Sequence, residues 1–243
     1  MQFLYDGLHQ AIDLLLHPNR DLLVLIKVTL IVALGSAAIA MLIGTPIGLW
    51  LGLARFRGRG AFVGLSNAGV GLPPVVVGVI LSLLMFRGSV LGNLHMIYSI
   101  KGVLVAQVVL ALPIVIAITI TSVQSLDGDL LRQAKALGAK RSQFSVFALR
   151  EARGGVYTAA IAAVGAGLSE VGAVVLIGGN IQGQTQTLAS SLLVSVSAGQ
   201  YGQAVAVGLI LLGLVLILGA ALSVAQQRVP GGAAVRGTTV RVR

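Results

Sequence analysis

Cysteine is absent from the 243 residues, which removes disulfides, thiolate metal sites and thiol nucleophiles. Histidine is scarce, and His9, His17 and His95 do not share a metal-ligand spacing. Charge is scarce as well. Only 10% of residues are Asp, Glu, Lys or Arg, against about 25% in an ordinary soluble domain. No Gly-x-x-x-x-Gly-Lys-Ser/Thr segment occurs, so any ATP chemistry must belong to another chain. What remains is greasy: 56% of residues are hydrophobic and the mean hydropathy is +0.97. Apolar runs long enough to cross a bilayer as helices make this an all-α integral membrane protein.

A helix needs about 20 apolar residues to cross the hydrocarbon core. Five runs qualify, over residues 22–54, 61–86, 102–123, 155–178 and 203–226. The first is long enough that it must tilt or protrude, and Gly44-Thr45-Pro46 is a plausible bend within it. Pro73-Pro74 and Pro113 predict interruptions in two others. A sixth run, Leu188 to Ala198, is too short and too serine-rich to span and reads as re-entrant or interfacial.

With five spans, one side of the membrane collects Arg55, Arg57 and Arg59, then Arg132, Lys135, Lys140, Arg141, Arg150 and Arg153, then Arg228, Arg236, Arg241 and Arg243. The other side keeps only Arg20, Lys27, Arg87 and Lys101. The positive-inside rule then predicts an external N-terminus and a cytoplasmic C-terminus. The net charge of +10 is thereby assigned to loops facing anionic membrane lipid, not to nucleic acid. Residues 1–20 carry Asp6 and Asp13 and no basic lead, which reads as an interfacial amphipathic segment and not a cleaved signal. Residues 21–228 form the transmembrane domain with a cytoplasmic loop at 124–154, and 229–243 reads as a disordered cytoplasmic tail.

That loop is the most informative stretch. Asp127 or Asp129 can cap a helix, and Leu130, Leu131, Ala134 and Leu137 then recur at helical spacing with Lys135 on the polar side. Gly138 stands where a helix stop demands a positive φ, with Ala139 after it. Ser142 is positioned to cap a second short helix carrying Phe144, Phe147 and Ala148. The apolar side of the first helix either plugs into a groove on a soluble partner or lies on the bilayer surface.

The segment Arg132-Gln133-Ala134-Lys135-Ala136-Leu137-Gly138-Ala139 resembles the EAA loop of ABC-importer membrane subunits. Ala134, Leu137, Gly138 and Ala139 fit that pattern, while Arg132 stands where a glutamate is usual, Gln133 replaces the first alanine, and Arg150 takes the place of a frequent proline. Leu168-Ser169-Glu170-Val171-Gly172-Ala173, Gly178-Gly179-Asn180-Ile181, Thr185 and Thr187 are similar to the oxyanion branch of that family, most of all to its tungstate-type permeases. The resemblance implies the type I importer permease fold and a coupling helix docked on a cytoplasmic ATP-binding subunit. It also implies a periplasmic substrate-binding protein, an inner-membrane location, and tungstate, molybdate or sulfate as cargo.

Glu170 is the acidic residue deepest in an apolar run. A lone carboxylate there is costly, so it needs a partner inside the bundle. It acts either as a gate that changes partner or as a static helix clamp. From Gly154 to Gln227 there is no Lys or Arg. A path along the last two spans therefore offers neutral donors such as Asn180, Thr185 and backbone N–H groups at Gly172 and Gly179, unless 180–187 is simply a solvated turn. Five spans are too few to enclose a pathway, so a homodimer with two ATPase subunits is the expected assembly. The rival from another class is an ATP-independent secondary carrier, which needs intramembrane ion pairs. No metal, cofactor or catalytic site is predicted.

Overall fold

Three apolar helices run unbroken and two more are snapped in the middle. A computed structural model of the protein describes residues 2–228, so the tail expected at 229–243 lies outside the described residues. Every regular element among them is helical. The helices are α1 (Gln2–Leu16), α2 (Arg20–Leu53), α3 (Arg59–Val70), α4 (Pro74–Met85), α5 (Ile100–Gln124) and α6 (Gly128–Ala136). They continue with α7 (Arg141–Glu151), α8 (Arg153–Ser169), α9 (Gly172–Gly178), α10 (Leu188–Ser197) and α11 (Tyr201–Gln227). Helices α2, α5 and α11 are each long and apolar enough to cross a membrane alone. The pairs α3–α4 and α8–α9 reach that length only together, bent by 101° and 60°.

Each break has a local cause. Between α3 and α4, Gly71 ends one helix and Pro73-Pro74 starts the next, with Pro73 extended at φ −66 and ψ 118. A proline disfavours helical backbone in the residue before it but suits the first helical position. Between α8 and α9, Glu170 turns extended and its carboxylate replaces the lost backbone acceptor. The run at 155–178 is thus a broken span and not the continuous one its hydropathy suggests. By contrast, α2 runs helical through Gly44-Thr45-Pro46, without a break. Pro113 likewise stays inside α5. Neighbouring helices and lipid-level packing hold such prolines in an intact helix.

Helix α2 lies parallel to α5, and small residues make this possible. A Cβ at Gly44 would meet Val115, one at Gly48 would meet Thr119, and one at Gly52 would meet Val123, so residue numbers rise together along both helices. Helix α8 returns antiparallel between them: Gly167 abuts Ala33, and Gly155 abuts Ser122. The core at this junction is correspondingly small, with Ala33, Ala37, Ala40, Ala111, Ala159 and Ala163 all buried. Where lipid tails are as apolar as leucine, such close approach and its dispersion energy drive helix association.

The remaining elements are fastened to this centre. Helix α1 packs on the start of α11 through Gly7, whose missing Cβ would overlap Val205, and through buried Ala11. Helix α10 is too short to span, as expected. Its N-terminus is fixed twice, by a capping box between Thr187 and Ser190 and by the buried Leu188 N–H donating to Thr29 Oγ1 at 2.9 Å. At the C-terminal end of α2, Trp50 stacks on Phe56 at 5.3 Å, beside Arg55, Arg57 and Arg59. Aromatic rings next to arginines are what a membrane interface selects.

Candidate functional site

The residues singled out in the sequence gather at two poles. At the C-terminal end of α5 the chain leaves the bundle as an arm made of α6, a turn and α7. The other pole is at the N-terminal ends of α2 and α5, about 38 Å away along the 25 residues of α5.

The arm is built by local rules. Asp127 Oδ1 accepts from the Asp129 N–H at 2.8 Å and starts α6, and Asp129 pairs with Arg132 on the exposed face. At the other end, the Ala139 N–H donates to the Ala134 carbonyl at 3.3 Å and the Gly138 N–H to the Lys135 carbonyl at 3.0 Å. These are the two crossed bonds of a Schellman stop, and they require the left-handed Gly138, at φ +79. Helix α7 then begins two residues earlier than a Ser142 cap would give. Lys140 is the cap residue, and its own N–H donates to Gln143 Oε1 at 2.8 Å. Lys135 Nζ sits 4.9 Å from the centre of the Phe144 ring and links the two arms of the V.

No residue of α6 is buried. Leu130 and Ala134 are half-buried and, with Leu137, Gly138, Ala139 and Phe147, line a cleft of about 830 Å³ between α6 and α7. Leu131 faces the other way, into a cavity of about 730 Å³ bordered by Arg55, Arg59, Arg132 and Lys135. The single apolar face expected for α6 is therefore divided. Leu137 is 89% exposed, an apolar tip that a lone chain has no reason to project into water.

The second group does not form one cluster. Ser169 is exposed and spends its hydroxyl on the Gly165 carbonyl at 3.0 Å. Glu170, half-buried, accepts the buried Ala173 N–H at 3.1 Å and so starts α9. In this conformation the carboxylate is held by backbone. Gly172 lets α9 approach α4, since a Cβ there would lie 2.7 Å from Val75 Cγ2. Gly179 is left-handed and packed under the Tyr98 ring. Thr185 is buried, donating to the Gly178 carbonyl at 2.6 Å and accepting from the Ile181 N–H at 2.9 Å. Asn180, left-handed at φ 50, keeps its Oδ1 buried and unpaired. Within 180–187, Ile181 to Gln184 are exposed while Thr185 and Thr187 are buried and hydrogen-bonded.

A prediction follows from Glu170. Gln keeps an acceptor at the same place, so Glu170→Gln should melt close to the parent in detergent. Ala leaves the Ala173 N–H buried without a partner, a loss of about 1–3 kcal/mol. Equal melting of the two variants would contradict the clamp.

Sequence reasoning missed Lys27, His95, Tyr98 and Lys101. These residues line a cavity of about 730 Å³ at the far pole together with Gln184 and Thr185. Lys27 carried a signal, as a cation inside the apolar run Leu22–Leu34. The others are recognised only once the chain is folded.

Known proteins resemble this chain over most of its length. A probable anion ABC transporter permease protein of Haloferax volcanii is 34% identical, over 84% of this chain and 90% of its own. The tungstate uptake system permease protein TupB of Peptoclostridium acidaminophilum is 28% identical, over 87% and 93%. The fold is shared with a crystal structure of a bacterial alginate ABC transporter in complex with an alginate pentasaccharide-bound periplasmic protein, at TM-score 0.69 and 16% identity, over 91% of this chain and 86% of that one. Residues 44–230, which contain the whole α6–α7 arm and the 169–187 region, match the inner membrane component of binding-protein-dependent transport systems, and the chain belongs to that family.

Proposed function

We propose that this chain is the permease of an ATP-driven importer for a tetrahedral oxyanion, tungstate first among them. The observation that carries it is the arm. An exposed helix with no fully buried residue, which ends in a glycine stop and projects Leu137 from the membrane domain, suits docking on a soluble motor. The anion relatives supply the cargo class.

In this scheme residues 21–228 are the permease domain and the loop at 124–154 is cytoplasmic. The N-terminus is outside and the C-terminus inside, as the charge asymmetry supports. Leu130, Leu131, Ala134, Lys135, Leu137, Gly138 and Ala139 engage the ATP-binding subunit. Ser169, Glu170 and Gly172 form the break at which the path opens and closes, and Gly179, Asn180 and Thr185 flank the path. Two copies of the chain pair with two ATPase subunits and receive the anion from a periplasmic binding protein. ATP-driven closure of the motor moves α6, and α5 and α8, which flank the arm, transmit that movement to the break.

The test is uptake of labelled tungstate into proteoliposomes holding this chain and its ATPase, with binding protein outside the bilayer. Uptake that needs all components and ATP is expected, with molybdate and sulfate weaker competitors than unlabelled tungstate. A reversed competition order would reassign the cargo. Uptake by this chain alone, indifferent to ATP, would establish a secondary carrier instead.

A further inference from the structure

We infer that the basic cavity between the arm and the bundle is a socket for an acidic segment of the ATP-binding subunit. The inference rests on the docking role proposed above for α6 and names the chemistry of the partner surface that meets it.

The cavity, of about 730 Å³, is a corner with two walls. The bundle supplies Arg55, just beyond α2, and Arg59, at the start of α3. The arm supplies Leu131, Arg132 and Lys135 of α6. The bundle wall is fixed in place. Arg59 Nε donates to the Leu51 carbonyl at 2.7 Å, and a Cβ at Gly52 would lie 2.8 Å from the Val123 side chain. An occupant of this corner touches the packed end of the bundle and the projecting arm at once.

Charge says what the occupant is. Four cations line the space and no Asp or Glu does. The two carboxylates that flank Gly128 are already engaged, Asp129 with Arg132 and Asp127 with the Asp129 N–H. Arg55, Arg59 and Lys135 have no ion-pair partner among the described residues. Positive-inside sorting accounts for arginines on this side of the membrane. It does not account for their convergence on one cleft from segments far apart in the chain. A cleft lined by one sign of charge focuses its field on the opposite sign. Three of the four cations are arginines, whose planar guanidinium grips a carboxylate with two parallel N–H bonds. Arginine clusters are a recurring way to recognise acidic protein motifs.

Position selects a protein over a lipid headgroup. Two of the four cations sit on α6, the helix at whose end Leu137 is exposed. A partner that covers that apolar tip brings its surface alongside the cavity. The arrangement also accounts for the divided face of α6. Leu130, Ala134 and Leu137 line the cleft toward α7, while Leu131 and the cations line the socket. A partner that holds the helix from both sides uses both sets.

The test is retention of the ATP-binding subunit by the detergent-solubilised transporter as salt rises. Parent retention should fall toward about 1 M salt, where the Debye length is about 3 Å. Arg55→Gln with Arg132→Gln should weaken binding at low salt by about tenfold or more, the scale of close interfacial charge pairs, and should flatten its salt dependence. Arg55→Lys with Arg132→Lys, which keeps both charges, should recover most of the binding and its salt dependence. Arg57→Gln, removing a neighbouring charge from outside the cavity, should change neither. Leu137→Ser tests the docking role itself and should release the subunit. If it does so while the glutamine pair binds with the parent's strength and salt dependence, the acidic segment is overturned and docking stands. A glutamine pair that keeps the subunit but no longer co-purifies with phosphatidylglycerol would give the cavity to the membrane and overturn the inference as well. Should the glutamine pair fail to fold, the parent decides: retention unchanged up to about 1 M salt would overturn it. A Leu137→Ser chain that holds the subunit as the parent does would remove the docking role and the socket with it.

Discussion

Gly48→Val should yield little folded protein, and what survives detergent extraction should melt well below the parent. A Cβ at Gly48 would stand 2.6 Å from Thr119 Cβ and 2.9 Å from the Ile116 carbonyl oxygen. The second contact is the decisive one, because a backbone oxygen inside α5 cannot rotate aside. Helices α2 and α5 would have to separate along the most extensive helix–helix interface of the bundle. Overpacking by small increments costs about 1–3 kcal/mol, and valine adds two methyls beyond the offending Cβ. Gly44 and Gly52 should tolerate alanine better, since their nearest neighbours are the side chains of Val115 and Val123. Gly64→Ala should be neutral, with nothing within 4 Å of its Cβ. Thermal melting of purified variants gives the order, and a Gly48→Val protein melting with the parent would refute the parallel close contact.

Much of this was legible in the sequence, for physical reasons. Spans declare themselves because lipid demands long apolar runs, and Gly44, Gly48 and Gly52 recur four residues apart, the spacing of a close helix contact. Counting spans makes the first and third parallel. It does not make them neighbours, so the meeting of Lys27 and Lys101 was out of reach. The arm was legible because its folding is local: an aspartate cap, a helical repeat and a left-handed glycine lie within a dozen residues. Even there one detail differed. The hydroxyl of Ser142 was the conventional cap, yet the helix starts at Arg141 with the Lys140 N–H held by Gln143. The break at Glu170 was hidden because the residues around it are apolar enough for a continuous span. Only the carboxylate's capture of the Ala173 N–H ends one helix and begins another. A charged residue in a greasy run was noticed, but its effect on the backbone depends on geometry that hydropathy does not encode.

Gly138→Val should abolish coupled uptake while leaving the membrane domain intact. The position has open space around it, with nothing within 4 Å of a built Cβ, so the obstacle is conformational and not steric crowding from neighbours. At φ +79 an L-residue loses about 1–2 kcal/mol, and a β-branched side chain makes the left-handed region an outlier. Because α6 has no fully buried residue, the arm has little packing energy with which to hold the turn against that strain. The two Schellman bonds should open, and α6 should swing away from α7. The melting temperature of the bundle should hardly move, since the strain is released in solvent. Uptake should fall by about tenfold or more, the equivalent of about 1.4 kcal/mol in the docking-competent population. Asn enters the left-handed region more readily than other side chains, so Gly138→Asn should retain much of the transport that Val loses. Uptake and ATP hydrolysis measured side by side in proteoliposomes separate the outcomes. Loss of uptake with a normal melt and rescue by Asn is the signature of a rigid docking turn. A stably assembled Gly138→Val transporter with normal coupled uptake would show that force enters the bundle elsewhere, leaving the exposed Leu137 without a partner to explain it.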